Sequence, residues 1–254
     1  MHLESFGQGP DLVLLHGWAM HGGVFEPLVT RLAKHYRLHC VDLPGHGRTI
    51  AASQFALDGI ADELAARWPR ALWLGWSLGG LVALRLALRH PRAARALVLV
   101  AASPRFTVAP SWPCAVAPAV FEQFASALAT DLPRTLERFL ALETLGAEHA
   151  QEERHWLRSL IQAVPQPSAT LLTQGLGVLH DSDLRDQLPQ LRCPSVWIGG
   201  RRDRLVPPLA LQRAAELAPG AHAVILEQAA HAPFIGRPNA FVEALQPFLE
   251  RAPE

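Results

Sequence analysis

Short apolar runs alternate along the chain with stretches in which apolar positions recur every three or four residues. The runs Leu12–Leu15, Arg37–Val41, Ala71–Gly75, Ala96–Ala101, Ser195–Gly200 and Ala223–Leu226 predict strands. The periodic stretches Val24–Lys34, Ala56–Arg67, Leu78–Arg89, Pro208–Leu217 and Asn239–Glu250 predict helices between them. Strand and helix in alternation imply an α/β fold, a mostly parallel sheet covered by helices on both faces. In such a sheet a ligand site is expected at the carboxyl ends of the strands.

The alternation stops between residues 109 and 180. That stretch has no convincing strand. It opens with APSWPCAVAP, then turns helical in LPRTLERFLALETLG, AEHAQEERHWLRSLIQAV and SATLLTQGLGVLH. An insert of this length is more than a loop, and the expectation is a helical cap over the site. The predicted organisation is therefore a core of residues 1–108 and 181–254 with a cap at 109–180.

Composition narrows the picture. The chain has 254 residues, half of them hydrophobic and 18% charged, enough to bury a sizeable core. Lys+Arg and Asp+Glu are both 23, which argues against a general nucleic-acid binder. Cys40, Cys114 and Cys193 form neither a CxxC pattern nor an even set, so they read as small buried hydrophobes, without disulfide or zinc. No stretch reaches the roughly 18 continuous apolar residues of a membrane span, and the first residues lack a signal-peptide pattern. A soluble, cytoplasmic, monomeric protein is expected.

Candidate chemistry centres on GWSLGG, residues 75–80, between a predicted strand and a predicted helix. In Gly-x-Ser-x-Gly the serine occupies a tight strand-to-helix turn, and small neighbours let the backbone pack closely. Ser77 is thus a candidate nucleophile. A serine needs a base, and the base an orienting acid, in the chain order Ser, Asp, His. Asp203, in RRDRLVPP after the strand SVWIGG, and His231, in QAAHAPFI after AVILE, stand where strand ends should meet Ser77. Asp183 is the reserve acid. His35, His39, His90, His149 and His155 read as surface residues of helices or strands, and His222 lies at the wrong end of the sheet. For an oxyanion hole, LHGW offers the Trp18 main-chain N–H, and the helix start offers that of Leu78. His16 reads as a brace for this loop, and Asp42 and His46 in DLPGHGR as loop scaffolding. No phosphate-binding glycine motif or metal-ligand cluster appears, so no cofactor and no metal is expected.

These motifs resemble the α/β-hydrolase superfamily over nearly the whole chain. More narrowly, LVLLHGW, VDLPGHGR, LGWSLGGLVAL, RFLALETLG, DLR and AAHAPFI resemble the pimeloyl-[acyl-carrier protein] methyl ester esterases of biotin synthesis. The resemblance implies hydrolysis of the methyl ester on a pimeloyl chain carried by acyl-carrier protein, with Ser77, Asp203 and His231 as the triad. It implies that Trp18, Leu78 and the cap run Phe139, Leu140, Ala141, Leu142 and Glu143 line the substrate site. It also implies that cap arginines hold the acidic carrier. Arg134 and Arg138 match two such positions, while Gln151 and His155 replace two more, with Arg154 and Arg158 displaced along the helix. Glu143 stands where the family usually has Gln, and Thr49 where it has Ser. Residues 109–180 hold four Arg against seven Asp and Glu, so the docking expectation rests on one face. The same triad also suits a general short-chain carboxylesterase, a carbon–carbon bond hydrolase, or a binding protein on a hydrolase fold.

Overall fold

The computed structural model describes residues 1–49 and 54–253. Seven strands form one sheet: β1 (Leu3–Phe6), β2 (Asp11–Leu15), β3 (Arg37–Val41), β4 (Ala71–Trp76), β5 (Ala94–Val100), β6 (Ser195–Gly200) and β7 (His222–Leu226). Their spatial order is β1-β3-β2-β4-β5-β6-β7, antiparallel between β1 and β3 and parallel elsewhere. The central strands are apolar on both faces because helices cover both. Val13, Leu15, Trp73, Leu97, Leu99 and Trp197 point to one layer. Leu12, Leu14, Leu72, Leu74, Val98 and Ile198, the alternate positions of the same strands, point to the other.

The helices are α1 (Glu26–Leu32), α2 (Leu57–Arg67), α3 (Leu78–Arg89), α4 (Pro118–Leu128), α5 (Leu132–Glu143), α6 (Ala150–Gln162), α7 (Ala169–Asp181), α8 (Pro208–Leu217), α9 (Pro233–Gly236) and α10 (Pro238–Glu250). Helices α2, α3 and α8 pack with the first layer, and α1 and α10 with the second. Helices α4 to α7 lie between β5 and β6 in the chain. They add Phe121, Phe124, Leu136, Phe139 and Leu176 to the first layer, and Leu140 and Leu157 to the second. The chain leaves and rejoins the core at one stem. There Thr107 donates to the His180 carbonyl at 3.1 Å, the Leu184 N–H donates to the Pro104 carbonyl at 2.9 Å, and Arg105 pairs with Asp183 at 2.9 Å.

Several expectations need correction. β1 was not foreseen: LESF is short, half exposed and lies on the sheet edge. The predicted helix Val24–Lys34 divides into a 3₁₀ turn at Gly22–Phe25 and α1, because Pro27 fits only a first helical turn. β5 starts two residues before Ala96 and ends at Val100, since Ala101 takes φ 44°. β4 runs one residue further, to Trp76, and β7 begins at His222. Helix α4, unforeseen after the Pro-rich opening, uses Pro118 at its first turn. His39 is buried rather than on the surface: its ring bridges Ser5 at 2.8 Å and Asp11 at 2.7 Å, holding the strand edge. The three cysteines are free and buried.

Candidate active site

The site sits at the carboxyl ends of four parallel strands. β2 leads into His16–Trp18, β4 into Ser77, β6 into Asp203 and β7 into His231. Ser77 has φ 53° and ψ −116°, a conformation that costs a side-chain-bearing residue about 1–3 kcal/mol. The surroundings enforce it. The Ser77 N–H donates to the Val100 carbonyl at 2.9 Å, and its carbonyl accepts from Gly80 at 2.9 Å and Leu81 at 3.2 Å. The turn is so tight that a Cβ on Gly75 would lie 2.3 Å from the Gly79 carbonyl oxygen, and one on Gly79 only 2.1 Å from that of Leu15. Glycine at these two positions lets strand, loop and helix meet.

His231 and Asp203 are brought together. Asp203 Oδ2 is 2.8 Å from His231 Nδ1, and both side chains are buried. Asp203 Oδ1 accepts the N–H groups of Leu205 at 2.8 Å and Val206 at 3.0 Å, so the carboxylate has three donors and a fixed orientation. An ionised carboxylate only accepts, so His231 carries its proton on Nδ1, and the Nε2 lone pair is free. That Nε2 is buried and has no hydrogen-bond partner among the described residues. Trp76 Nε1 donates to the His231 carbonyl at 2.8 Å, and the His231 N–H donates to the Glu143 carbonyl at 3.3 Å. The loop is thus clamped from the Ser77 side by Trp76 and from α5 by Glu143. Trp76, as the residue before the serine, was legible only as part of the motif.

Asp183, the reserve acid, is spent on Arg105 and Arg185 at the stem. His16 is fully buried. Its Nε2 accepts the Leu43 N–H at 2.9 Å, so Nδ1 holds the proton and donates to the Gly17 carbonyl at 2.7 Å. Burial, reinforced by neighbouring His46, pushes its pKa down to about 3, leaving a neutral brace under the Trp18 loop. Asp42 accepts from the main chain of Gly22 and Arg48, tying two loops together. Leu78 opens α3, where first-turn N–H groups have no acceptor within the helix. Trp18 donates its indole N–H to the Leu172 carbonyl of α7 at 2.8 Å and meets Phe139 edge-on, ring centroids 4.6 Å apart.

Of the α5 run, Phe139, Leu140 and Glu143 are buried, whereas Ala141 and Leu142 are half-buried, as helical spacing requires of five consecutive residues. Both carboxyl oxygens of Glu143 are buried and have no hydrogen-bond partner among the described residues. Burial and the charge of Asp203 push its pKa well above the usual carboxylate range. Arg134 and Arg138 are exposed on α5, the latter's guanidinium 5.7 Å from the centre of the Phe124 ring. Arg158 of α6 is engaged by both oxygens of Glu137 at 2.5 Å. Arg154 lies on the same helix, half-buried. Between α5 and α6 opens a cleft of about 610 Å³, lined by Leu136, Leu140, Ile161 and Val164, with Arg134 and Arg158 also on its walls.

The profile of the alpha/beta hydrolase family matches residues 12–244. The chain belongs to the alpha/beta hydrolase family. This hydrolase is 51% identical over 254 residues to a pimeloyl-[acyl-carrier protein] methyl ester esterase of Xanthomonas oryzae pv. oryzae, covering all of both chains. It is 51% identical over 250 residues to a Stenotrophomonas maltophilia protein of the same name, covering 98% of this chain and 96% of the relative. Among solved structures, an esterase from Exiguobacterium antarcticum superposes with a TM-score of 0.90 at 26% identity, covering 98% of the hydrolase and 95% of that chain. Among the described residues, no group of His, Cys, Asp and Glu is placed to hold a metal ion. No helix among them is long and apolar enough to cross a membrane.

Proposed function

We propose that the protein is a serine carboxylesterase that hydrolyses the methyl ester of a pimeloyl chain carried on acyl-carrier protein, releasing methanol and freeing the pimeloyl carboxyl group for biotin synthesis. One observation carries the reading: its likeness to esterases of that name runs the whole length of the chain, at about half identity. The geometry supports the chemistry. His231 Nε2 takes the Ser77 proton as the Ser77 oxygen attacks the ester carbonyl, and the ionised Asp203 stabilises the imidazolium that forms. The main-chain N–H groups of Trp18 and Leu78 receive the oxyanion. His231 then protonates departing methanol. Water, deprotonated by the same Nε2, cleaves the acyl-Ser77 ester and leaves a free carboxyl group.

The helices α4 to α7 act as the cap. The apolar cleft between α5 and α6 suits an acyl chain and its carrier arm, and Arg134 and Arg138 on the outer face of α5 suit an acidic carrier. Arg154, half-buried on α6, is the further docking candidate. Arg158, bound to Glu137, serves as a clasp between the two helices rather than a free docking group.

The test is kcat/KM for pimeloyl-acyl-carrier-protein methyl ester beside that for a free short-chain methyl ester, with Ser77→Ala as the blank. A large preference for the carrier-linked ester, lost in Ser77→Ala, is the expected result. Equal or better turnover of the free ester replaces this reading with a general carboxylesterase. Turnover that survives in Ser77→Ala removes the triad itself.

A further inference from the structure

Two carboxyl groups flank the site, and their surroundings differ sharply. Asp203 has three N–H donors. Glu143 is 1% exposed, and neither of its carboxyl oxygens has a hydrogen-bond partner among the described residues. An ionised carboxylate in such a place carries a heavy desolvation cost, and a second negative charge beside Asp203 adds to it. No cation relieves it. Arg202, on the Asp203 loop, ends on the Gly146 carbonyl. Arg158 of α6 is bound to Glu137. Arg138, on the same helix as Glu143, lies over Phe124 of α4. Glu122 of α4 faces His180, Glu153 of α6 faces Gly236 of α9, and His16 is held by Leu43 and Gly17. The remaining titratable neighbour is His231, whose main-chain N–H rests on the Glu143 carbonyl.

We propose that Glu143 serves as an un-ionised carboxylic acid beside the Asp203–His231 pair, a positioning residue whose loss of a proton loosens the His231 loop and stops turnover. As an acid it is neutral, and the end of α5 stays seated on the His231 loop. As a carboxylate it must find water. Moving toward solvent draws the α5 terminus off the loop, while the new charge repels Asp203. Activity then has an alkaline limit set by one side chain. The inference rests on the esterase reading for its kinetic consequence, and its structural half is independent of substrate.

Two measurements test it. The infrared difference spectrum of wild type minus Glu143→Gln, near neutral pH and without substrate, is expected to contain the carbonyl stretch of an un-ionised carboxyl group. A carboxylate signature in its place overturns the proposal. The pH profile of kcat/KM, measured on a free methyl ester, is expected to fall on the alkaline side in wild type. In Glu143→Gln the acid limb is retained and the alkaline fall is absent. An alkaline fall that persists in this variant overturns the gating role. Glu143→Met, which has similar length and no charge, repeats the kinetic comparison should the amide disturb folding. The infrared arm needs no turnover, so a wrong substrate assignment leaves its outcome readable.

Discussion

Burial displaces the pKa values of four His and Glu side chains, which fall into two opposing sets. Burial lowers His46 to about 4 and, with help from His46, His16 to about 3. Burial raises Glu143, and raises Glu153 to about 7. The signs follow from linkage. A histidine with a depressed folded pKa contributes stability above 6.5 that is lost as pH falls through its folded value. A carboxyl with a raised folded pKa contributes stability below about 4.5 that is lost as pH rises through its folded value. Between those bounds the two sets oppose each other, so their separate effects emerge from variants. His46→Gln is expected to lose less stability than wild type on acidification from 6.5 to about 4, by roughly 3 kcal/mol at the end of that range. Glu153→Gln is expected to gain on wild type as pH rises from 4.5 to about 7. Thermal unfolding across pH checks both, and parallel curves for variant and parent contradict them. The positions of Ser77, Asp203 and His231 were legible because each follows an apolar run that ends at the same edge of a parallel sheet. The state of Glu143 was not: as the fifth residue of a helical run it reads as a polar terminus, and only tertiary packing reveals that nothing answers it.

At the scale of elements, the strand-to-helix turn at Ser77 depends on missing side chains. A methyl group on Gly79 meets the Leu15 oxygen at 2.1 Å and the His16 oxygen at 2.5 Å, both main-chain atoms with little room to retreat. Gly79→Ala is expected to destabilise the protein by about 3 kcal/mol and to lower kcat by moving the Trp18 loop. Gly177 in α7 has nothing within 4 Å of its would-be Cβ, and Gly177→Ala is expected to stabilise by about 0.5–1 kcal/mol. Denaturant titration of the two variants gives opposite shifts if the packing is as described. The central strands were readable because parallel strands buried on both faces are unbroken apolar runs such as ALVLV. β1 escaped notice because four residues on an edge carry little of that signal. Helix α4 escaped because the prolines that precede it resemble a loop until the first of its own turns absorbs Pro118.

For the whole molecule, a formal net charge of zero supplies no net attraction for the acidic carrier proposed above, so such docking would have to rest on a local patch. Arg134 and Arg138 are one helical turn apart and exposed, while the acidic Glu137 between them is held by Arg158. Reversing both, Arg134→Glu with Arg138→Glu, is expected to cut kcat/KM for the carrier-linked ester at least tenfold and to change the free ester less than twofold. Added salt should weaken the parent's preference and leave the variant's unchanged. Equal losses on both substrates remove the docking face and leave the esterase chemistry standing.

The stem at residues 104–107 and 180–184 has a consequence of another kind. Departing and returning chain are stitched side by side by Thr107, Leu184 and the Arg105–Asp183 pair. The sheet therefore registers only a fixed gap between β5 and β6, whatever length of chain crosses it. Four helices can be exchanged there as one cassette, by two cuts at adjoining points, provided the replacement restores the supports that α5 gives the His231 loop and α7 gives Trp18. A splice at that stem would replace the whole helical insert in one event, at the cost of repacking the apolar side chains it adds to both layers.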